Sequence, residues 1–232
     1  MTYVMSDIHG EYDKYVKMLE KISFSNDDEL YVLGDIVDRG PKPTEVLRDM
    51  MGRANVFPIM GNHDLFALDI LNRLSVDITE DNFATQVDMS VMNEMLEWLN
   101  NGGEPTMTGF QKLSKSERVD MLNYILEFPL CEVVEIKEKT FILVHAGLGN
   151  FQSDKKLRDY TAEELLQSRN DPDIRYFSDE TIYIVSGHTP TLIFTGKPQI
   201  YISNNNINID CGACFGGRLG CLCLDTMEEY YV

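Results

Sequence analysis

The sequence is short of positive charge. Against 38 Asp and Glu it carries 20 Lys and Arg, a formal net charge of −18. Nucleic-acid affinity comes mostly from Lys and Arg neutralising phosphates, so no nucleic-acid partner is expected. A chain this acidic that still handles phosphate needs local positive charge, from an Arg or a metal. Long apolar runs are missing as well. None approaches the ~18 residues that mark a membrane helix, and no membrane partner is expected. The N-terminus enters Tyr3-Val4-Met5 at once, with no basic stretch and no apolar leader core, so no secretory leader is expected. Five cysteines are an odd count that suits no disulfide framework, and a reduced, cytoplasmic chain is the expectation. No internal repeat, low-complexity tract or linker divides the sequence. Its 232 residues suffice for one domain over 1–232 with a sizeable core.

What is present begins with a β-α-β pattern. A short strand at Thr2–Met5 runs into Ser6-Asp7-Ile8-His9-Gly10. Apolar residues at helical spacing follow over Glu11–Ile22, then the apolar run Leu30–Leu33. That run is cut off by Gly34-Asp35-Ile36-Val37-Asp38-Arg39-Gly40, two carboxylates and a guanidinium bracketed by glycines. Taken alone, such a stretch also fits a solvated turn. Pro41 and Pro43 precede a helix at Thr44–Met51, and a third strand, Asn55–Met60, ends in Gly61-Asn62-His63-Asp64. Residues 65–128 read as a helical insertion beside one sheet edge. Its segments are Leu65–Leu71, Val87–Leu99 with the single Trp98, a break at Gly102-Gly103-Glu104-Pro105, and Lys115–Phe128 capped by Ser114 or Ser116. The Met and aromatic stripes here, Trp98 among them, are expected to pack as core. A hairpin is expected at Cys131–Ile136 and Thr140–Val144, a capping-box helix at Thr161–Ser168, and strands at Thr181–Val185, Thr191–Thr195, Gln199–Ser203, Ile207–Asp210 and Leu219–Leu224. Cys221 and Cys223 alternate onto one strand face, where Cys packs as a small hydrophobe. A separate zinc site with Cys211 and Cys214 is the less favoured reading.

The strand ends line up. They carry Asp7 and His9, Asp35 and Asp38, Asn62 and His63, His145, and His188. All four histidines of the chain fall in these loops, which packing alone would not arrange. Asp, Asn and His side chains suit a borderline or hard divalent cation such as Mn²⁺, Fe²⁺ or Zn²⁺. That many ligand side chains exceed one ordinary site and suit two cations sharing a carboxylate, roughly 3.5–4 Å apart. A nearby Arg would hold phosphoryl oxygens in bidentate fashion.

The blocks Asp7-x-His9-Gly10, Gly34-Asp35-x-Val37-Asp38-Arg39-Gly40, Gly61-Asn62-His63-Asp64, Val144-His145-Ala146-Gly147 and Ser186-Gly187-His188-Thr189-Pro190 resemble the ordered signature of the PPP-type phosphatases in the calcineurin-like metallophosphoesterase superfamily. Ile209-Asp210-x-Gly212 and Gly216-Gly217-x-Leu219 resemble the closing strand of its bacterial and phage members. The resemblance implies an α/β fold, a four-layer α/β/β/α sandwich. It implies Asp7, His9 and Asp35 on one metal, with Asp35 shared to a second that also takes Asn62, His145 and His188. Two divalent ions are implied, Mn first, with Fe or Zn as alternatives. Arg39 would bind the phosphoryl group and Asn62 would adjoin it. His63 would be the general acid, supported by Asp38. Arg169 would be the second phosphate-binding Arg, with Arg175 as fallback, although Gln167 stands where the family has an aromatic. Arg218 is expected to be structural. The implied reaction is direct attack by a metal-bridging hydroxide on a phosphomonoester, without a phosphoenzyme. The leading substrate is phosphoserine or phosphothreonine in proteins, with phosphotyrosine included. The first alternative is a dinucleoside tetraphosphate or another small phosphoester, because Asp64 replaces the Glu of the protein phosphatases. A non-catalytic phosphate-binding scaffold is the alternative of another class.

Overall fold

Alternation along single strands builds the layers. The structure is a computed structural model and describes residues 1–76 and 89–232. In β1 (Thr2–Met5), Tyr3 and Met5 face a helical layer, while Val4 faces the opposite way into a second cluster. Successive side chains of a strand point to opposite faces, so a strand buried on both sides has to be apolar throughout. β1 pairs in parallel with β2 (Glu29–Val32), and β2 with β3 (Val56–Pro58). On its other edge β1 takes β9 (Gly220–Cys223) antiparallel, and β9 takes β10 (Glu229–Tyr231). The first sheet therefore runs β10-β9-β1-β2-β3. Cys221 and Cys223 lie on the helical side among Met5, Met18 and Val32, as their alternation predicts.

The second sheet is β4 (Cys131–Ile136), β5 (Lys139–Val144), β6 (Ile182–Ser186), β8 (Asn206–Asn208) and β7 (Tyr201–Ser203), in that order. β4 and β5 form the expected antiparallel hairpin, whereas β5, β6 and β8 are parallel. Phe141, Leu143, Val185, Ile207 and Ile209 of this sheet bury against Val4, Leu33 and Leu222 of the first. Ile142, Val144 and Ile184 point outward to Leu148, Tyr160 and Leu165. Two mixed sheets flanked by helices make the α/β sandwich that the resemblance implies.

Helices start where local chemistry permits. α1 (Tyr12–Lys21) buries Tyr15, Met18 and Leu19. α2 (Pro43–Met51) has its proline in the first turn, where the missing N–H costs nothing. α3 (Asn62–Leu74) starts three residues before the expected Leu65, so Asn62 and His63 open a helix rather than lie in a loop. α4 (Met89–Trp98) runs into a π-type turn at Leu99–Gly103, and α5 (Glu104–Gln111) follows at once. The expected break at Gly102–Pro105 is thus a kink, since Pro105 sits in a first turn. The expected start at Val87 lies outside the described residues. α6 (Lys115–Leu126) is capped by Ser114, whose hydroxyl accepts from Glu117 N while Glu117 caps Ser114 N in return. α7 (Ala162–Leu166) has the predicted Thr161–Glu164 box. Thr191–Thr195 was expected as a strand but is a helical turn, α8 (Leu192–Thr195), ended by Gly196 in the left-handed region. β10 was not anticipated; Leu219 N and Val232 O close its far end. Among the described residues no helix is long and apolar enough to cross a membrane.

Candidate active site

The loops at the carboxyl ends of β1, β2, β3, β5 and β6 meet at one end of the sandwich. Their backbones are unusual. Asp7, His9, Asp35, Asp38, Arg39 and His188 all have positive φ, between 44° and 69°. A non-glycine residue held there costs on the order of 1 kcal/mol or more, and persists only when its surroundings over-determine it. Backbone bonds do so here. Asp7 N donates to Gly34 O, His9 N to Asp35 O, Gly10 N to Ile36 O and Gly40 N to His9 O. Gly34 (φ 76°) and Gly61 touch backbone to backbone; a Cβ on Gly34 would lie 2.4 Å from Gly61 Cα. Only glycine allows the β2 and β3 loops to approach this closely. Buried Asp64 ties them further, accepting Ile36 N and Val37 N on one oxygen and Gly61 N on the other. Burial, with the Asp35 charge, pushes its carboxyl up to about 7.

Asp35 is the hub. Its Oδ2 lies 3.4 Å from His9 Nε2, and its Oδ1 lies 3.4 Å from His145 Nε2 and accepts His63 N at 3.0 Å. A carboxylate at the first turn of α3 is favourably placed against the helix dipole. Burial opposes its charge, yet the imidazoles of His145, His9 and His63 and the His63 N–H outweigh that, and Asp35 sits below the usual carboxylate range. Two groups of possible cation ligands share it, His9–Asp35–His63 and Asp35–His145–His188, each with its ligand atoms within 4.8 Å of one another.

The donor set fits a cation. His145 Nδ1 donates to Leu33 O at 2.7 Å, which turns its Nε2 into the site. That nitrogen is 2.9 Å from Asn62 Oδ1 and 3.2 Å from His188 Nδ1, which is itself 3.0 Å from Asn62 Oδ1. Burial lowers His188 to about 4, so it is neutral. His145 Nε2, His188 Nδ1 and Asn62 Oδ1 thus converge, a mixed N and O donor set that suits a divalent cation. His9 is prepared in the same way: Nδ1 donates to Val37 O at 2.8 Å and burial lowers its pKa to about 3, leaving a lone pair on Nε2. A backbone carbonyl that fixes the tautomer is the usual support of a metal-bound imidazole. Asp7 is buried, with Oδ2 accepting His188 N at 2.9 Å. Burial, with Asp210 and Asp35 nearby, pushes it well above the ordinary range, and a cation is what would let these carboxylates ionise together. The expected first-metal set is Asp7, His9 and Asp35; His9 and Asp35 also lie in a tight group with His63, while Asp7 binds the His188 backbone.

Arg39 is exposed and spans the site. Its Nη1 lies 2.6 Å from His9 Nε2 and its Nη2 lies 2.8 Å from His63 Nε2. His63 Nδ1 bonds Asp38 Oδ2 at 2.8 Å. Burial works against its imidazolium, but that bond and the charges of Asp35 and Asp38 outweigh it, and His63 lies above its ordinary value. Arg169 reaches the site, with Nη1 donating to Thr189 Oγ1, next to His188. Arg175 does not; it pairs with Glu180 at the surface. Arg218 is structural as expected, donating to Pro198 O and stacking on Tyr231.

Sequence reasoning missed two residues that bond Asp38. Trp98, expected as core packing, is fully buried and donates Nε1 to Asp38 Oδ2 at 2.9 Å. Thr106 donates to Oδ1 at 2.7 Å. The available signal was Trp98 itself, because a buried indole N–H needs an acceptor.

At the rim, Phe215 is 65% exposed, with the Arg39 guanidinium 5.0 Å from its ring. Its loop is anchored by Lys14 Nζ on Ala213 O and Gly217 O, and by Gly212 N on Asp210 Oδ1. Asp210, buried beside Asp7, is pushed up to about 6, mainly by burial.

Comparison with known proteins agrees with this geometry. Residues 2–209 match the family described as calcineurin-like phosphoesterase. A symmetrical bis(5'-nucleosyl)-tetraphosphatase of Salmonella typhimurium is 35% identical over 100 residues, which cover 42% of this chain and 36% of that protein. The match thus spans little more than a third of the relative's length. Among solved structures, one assigned as a candidate diadenosine tetraphosphatase superposes with a TM-score of 0.67 at 18% identity, over 100% of this chain and 92% of the other. A protein serine/threonine phosphatase of Saccharomyces cerevisiae gives 0.56 at 17% identity, over 95% and 71%. At such identities the structural likeness speaks for the fold.

Proposed function

The chain belongs to the calcineurin-like phosphoesterase family and is a phosphoester hydrolase; from that premise we propose that it cleaves dinucleoside polyphosphates of the bis(5'-nucleosyl)-tetraphosphate class with the help of two divalent cations. The observation that carries the chemistry is the shared Asp35, with two groups of cation ligands on its two oxygens and Arg39 and His63 beside them. Bound there, divalent cations supply Lewis-acid activation of water and neutralise phosphoryl oxygens. Mn²⁺ is the first choice, with Fe²⁺ or Zn²⁺ compatible with the same mixed O and N donors.

The protein's own residues do the rest. Arg39 grips the non-bridging oxygens of the phosphoryl group, with Asn62 alongside and Arg169 approaching from the His188 loop. His63 delivers a proton from Nε2 to the leaving oxygen while Nδ1 stays on Asp38. Asp7, His9, Asn62, His145 and His188 hold the cations.

The order of the two substrate readings reverses the expectation from sequence, which put phosphoproteins first. Two findings support the dinucleotide. The Salmonella relative bears that activity in its name, and Phe215 is an exposed, anchored aromatic beside the phosphate-binding Arg39, a surface on which a nucleobase stacks. The second reading, a phosphorylated protein, is favoured by the net charge of −18, which repels polyanions more than single phosphates. Rates on diadenosine tetraphosphate and on phosphoserine, phosphothreonine and phosphotyrosine peptides, measured side by side with Mn²⁺, decide between them. Faster turnover of the peptides overturns the substrate class. No turnover of either substrate or of p-nitrophenyl phosphate by metal-loaded protein overturns the enzyme reading in favour of a scaffold.

A further inference from the structure

The inserted helices do more than cover the sheet. Asp38 is fully buried, and both carboxylate oxygens are engaged from that insertion. Oδ2 takes Trp98 Nε1 at 2.9 Å beside His63 Nδ1 at 2.8 Å, and Oδ1 takes Thr106 Oγ1 at 2.7 Å. The Thr106 hydroxyl oxygen also accepts Asp38 N at 2.9 Å, so one side chain clasps both ends of a residue held at φ 69°. Gly102, between the two, accepts Arg39 N through its carbonyl at 2.8 Å. Trp98 and Thr106 are themselves buried, at 0% and 2% exposure, so water does not substitute for either bond.

A buried carboxylate needs donors to stay charged, and an indole N–H can only donate. These bonds fix the rotation of the carboxylate, so that Oδ2 stays pointed at His63 Nδ1. A rotated Asp38 would leave His63 free to turn.

We propose that Trp98 and Thr106 are positioning residues of the leaving-group proton transfer, holding Asp38 as an oriented carboxylate and, through it, His63 as the acid. The proposal rests on the reading of His63 given above. As the P–O bond breaks, its electron pair passes to the leaving oxygen, which takes the proton from His63 Nε2. The imidazole is left neutral and keeps its Nδ1 proton on Asp38. Trp98 and Thr106 then act on the reaction only through Asp38.

Leaving-group dependence separates this role from a structural one. A good leaving group such as p-nitrophenolate needs little protonation, whereas phenolate needs it. Trp98→Phe removes the N–H and keeps a ring, Thr106→Val removes the hydroxyl at constant shape, and Thr106→Ser restores it. With the Mn²⁺-loaded full chain, Trp98→Phe and Thr106→Val should lower kcat on phenyl phosphate about tenfold or more, within the range set by small misplacements of catalytic groups. On p-nitrophenyl phosphate they should change it by no more than about twofold, with KM unchanged on both, and Thr106→Ser should behave as wild type. Equal losses on both substrates, no loss in folded variants, or a Thr106→Ser as impaired as Thr106→Val each overturn the proposal. If Thr106→Val fails to fold, Trp98→Phe decides. His63→Asn run alongside tells the failures apart. If it does not steepen the leaving-group dependence, the acid assignment falls and this proposal with it. If it does while Trp98→Phe and Thr106→Val do not, only this proposal falls.

Discussion

Gly34→Ala tests how the site is held together. The new methyl would meet Gly61 Cα at 2.4 Å and Gly61 N at 2.5 Å, both backbone atoms, and His145 Nδ1 at 2.9 Å. Carbon atoms rest about 3.5–4 Å apart, so the β2 and β3 loops must part by about 1 Å. The residue also sits at φ 76°, where a side chain costs about 1–2 kcal/mol. Overpacking against atoms that cannot rotate away adds roughly 1–3 kcal/mol. The sum is about 2–5 kcal/mol, which for a chain of this size lowers Tm by about 4–20 °C. The effect on rate is separate. Parting the loops stretches the Asp35 Oδ1–His63 N bond and the pair of amides on Asp64, and a 1 Å misplacement costs about 10²-fold in rate. Thermal unfolding followed by circular dichroism and turnover of p-nitrophenyl phosphate at a temperature where the variant is folded give both numbers. A Gly34→Ala protein with wild-type Tm and wild-type rate would refute the claim that these loops are fixed by backbone contact.

Three further outcomes follow from the same geometry. Saturating Mn²⁺, at about a hundred times its Kd, should stabilise the wild type by about 2.7 kcal/mol, raising Tm by roughly 5–11 °C. Asp35→Asn should abolish that rise, because both ligand groups share Asp35, and an equal rise in the variant would count against the shared ligand. His63, the proposed acid, has to be protonated to act, and its bond to Asp38 with the nearby carboxylate charges raises its pKa above the ordinary 6.5. Turnover of poor leaving groups is therefore full below that value and falls as pH climbs through the raised one. Asp38→Asn should move this alkaline limb to lower pH, and an unmoved limb in the kcat–pH profile contradicts the pairing. Arg169→Ala should lower kcat/KM by about 10-fold or more, the scale of a charge-assisted bond to phosphate. Arg175→Ala should stay near wild type, since an exposed pair with Glu180 contributes little; the opposite ranking would transfer the second phosphate contact to Arg175.

The strand ends were legible because their chemistry is local. Asp7, His9, Asp35, Asn62, His145 and His188 each follow an apolar run, and the parallel strands carry all of them to one end of the sandwich. Alternation likewise gave Cys221 and Cys223 their face. The failures arise where the deciding contact is distant. Asp64 accepts amides 28 and 27 residues back, so its substitution for Glu could be noticed but its clamp could not be seen. Trp98 lies in a stripe that periodicity reads as core, and it is buried. Its one polar atom finds a partner 60 residues away, and no pattern in the helix points there. Thr191–Thr195 alternates enough to resemble a strand, but Thr191 N is already taken by Asp210 O and the backbone turns instead. Substrate class was the least legible, because Phe215 stands in a turn whose nearness to Arg39 only the fold creates.

The only tryptophan of the chain gives its hydrogen bond to Asp38, which also holds His63. Its fluorescence is therefore a built-in probe of a single place. Loosening of the inserted helices from the Asp38 loop would change the emission while the two sheets stay intact. Emission and far-ultraviolet circular dichroism should then report different midpoints on heating, as they do when a region opens below the global transition. Coincident midpoints would mean that the segment 98–106 unfolds with the sandwich as one unit. In either case the signal arises beside Asp38, without a label.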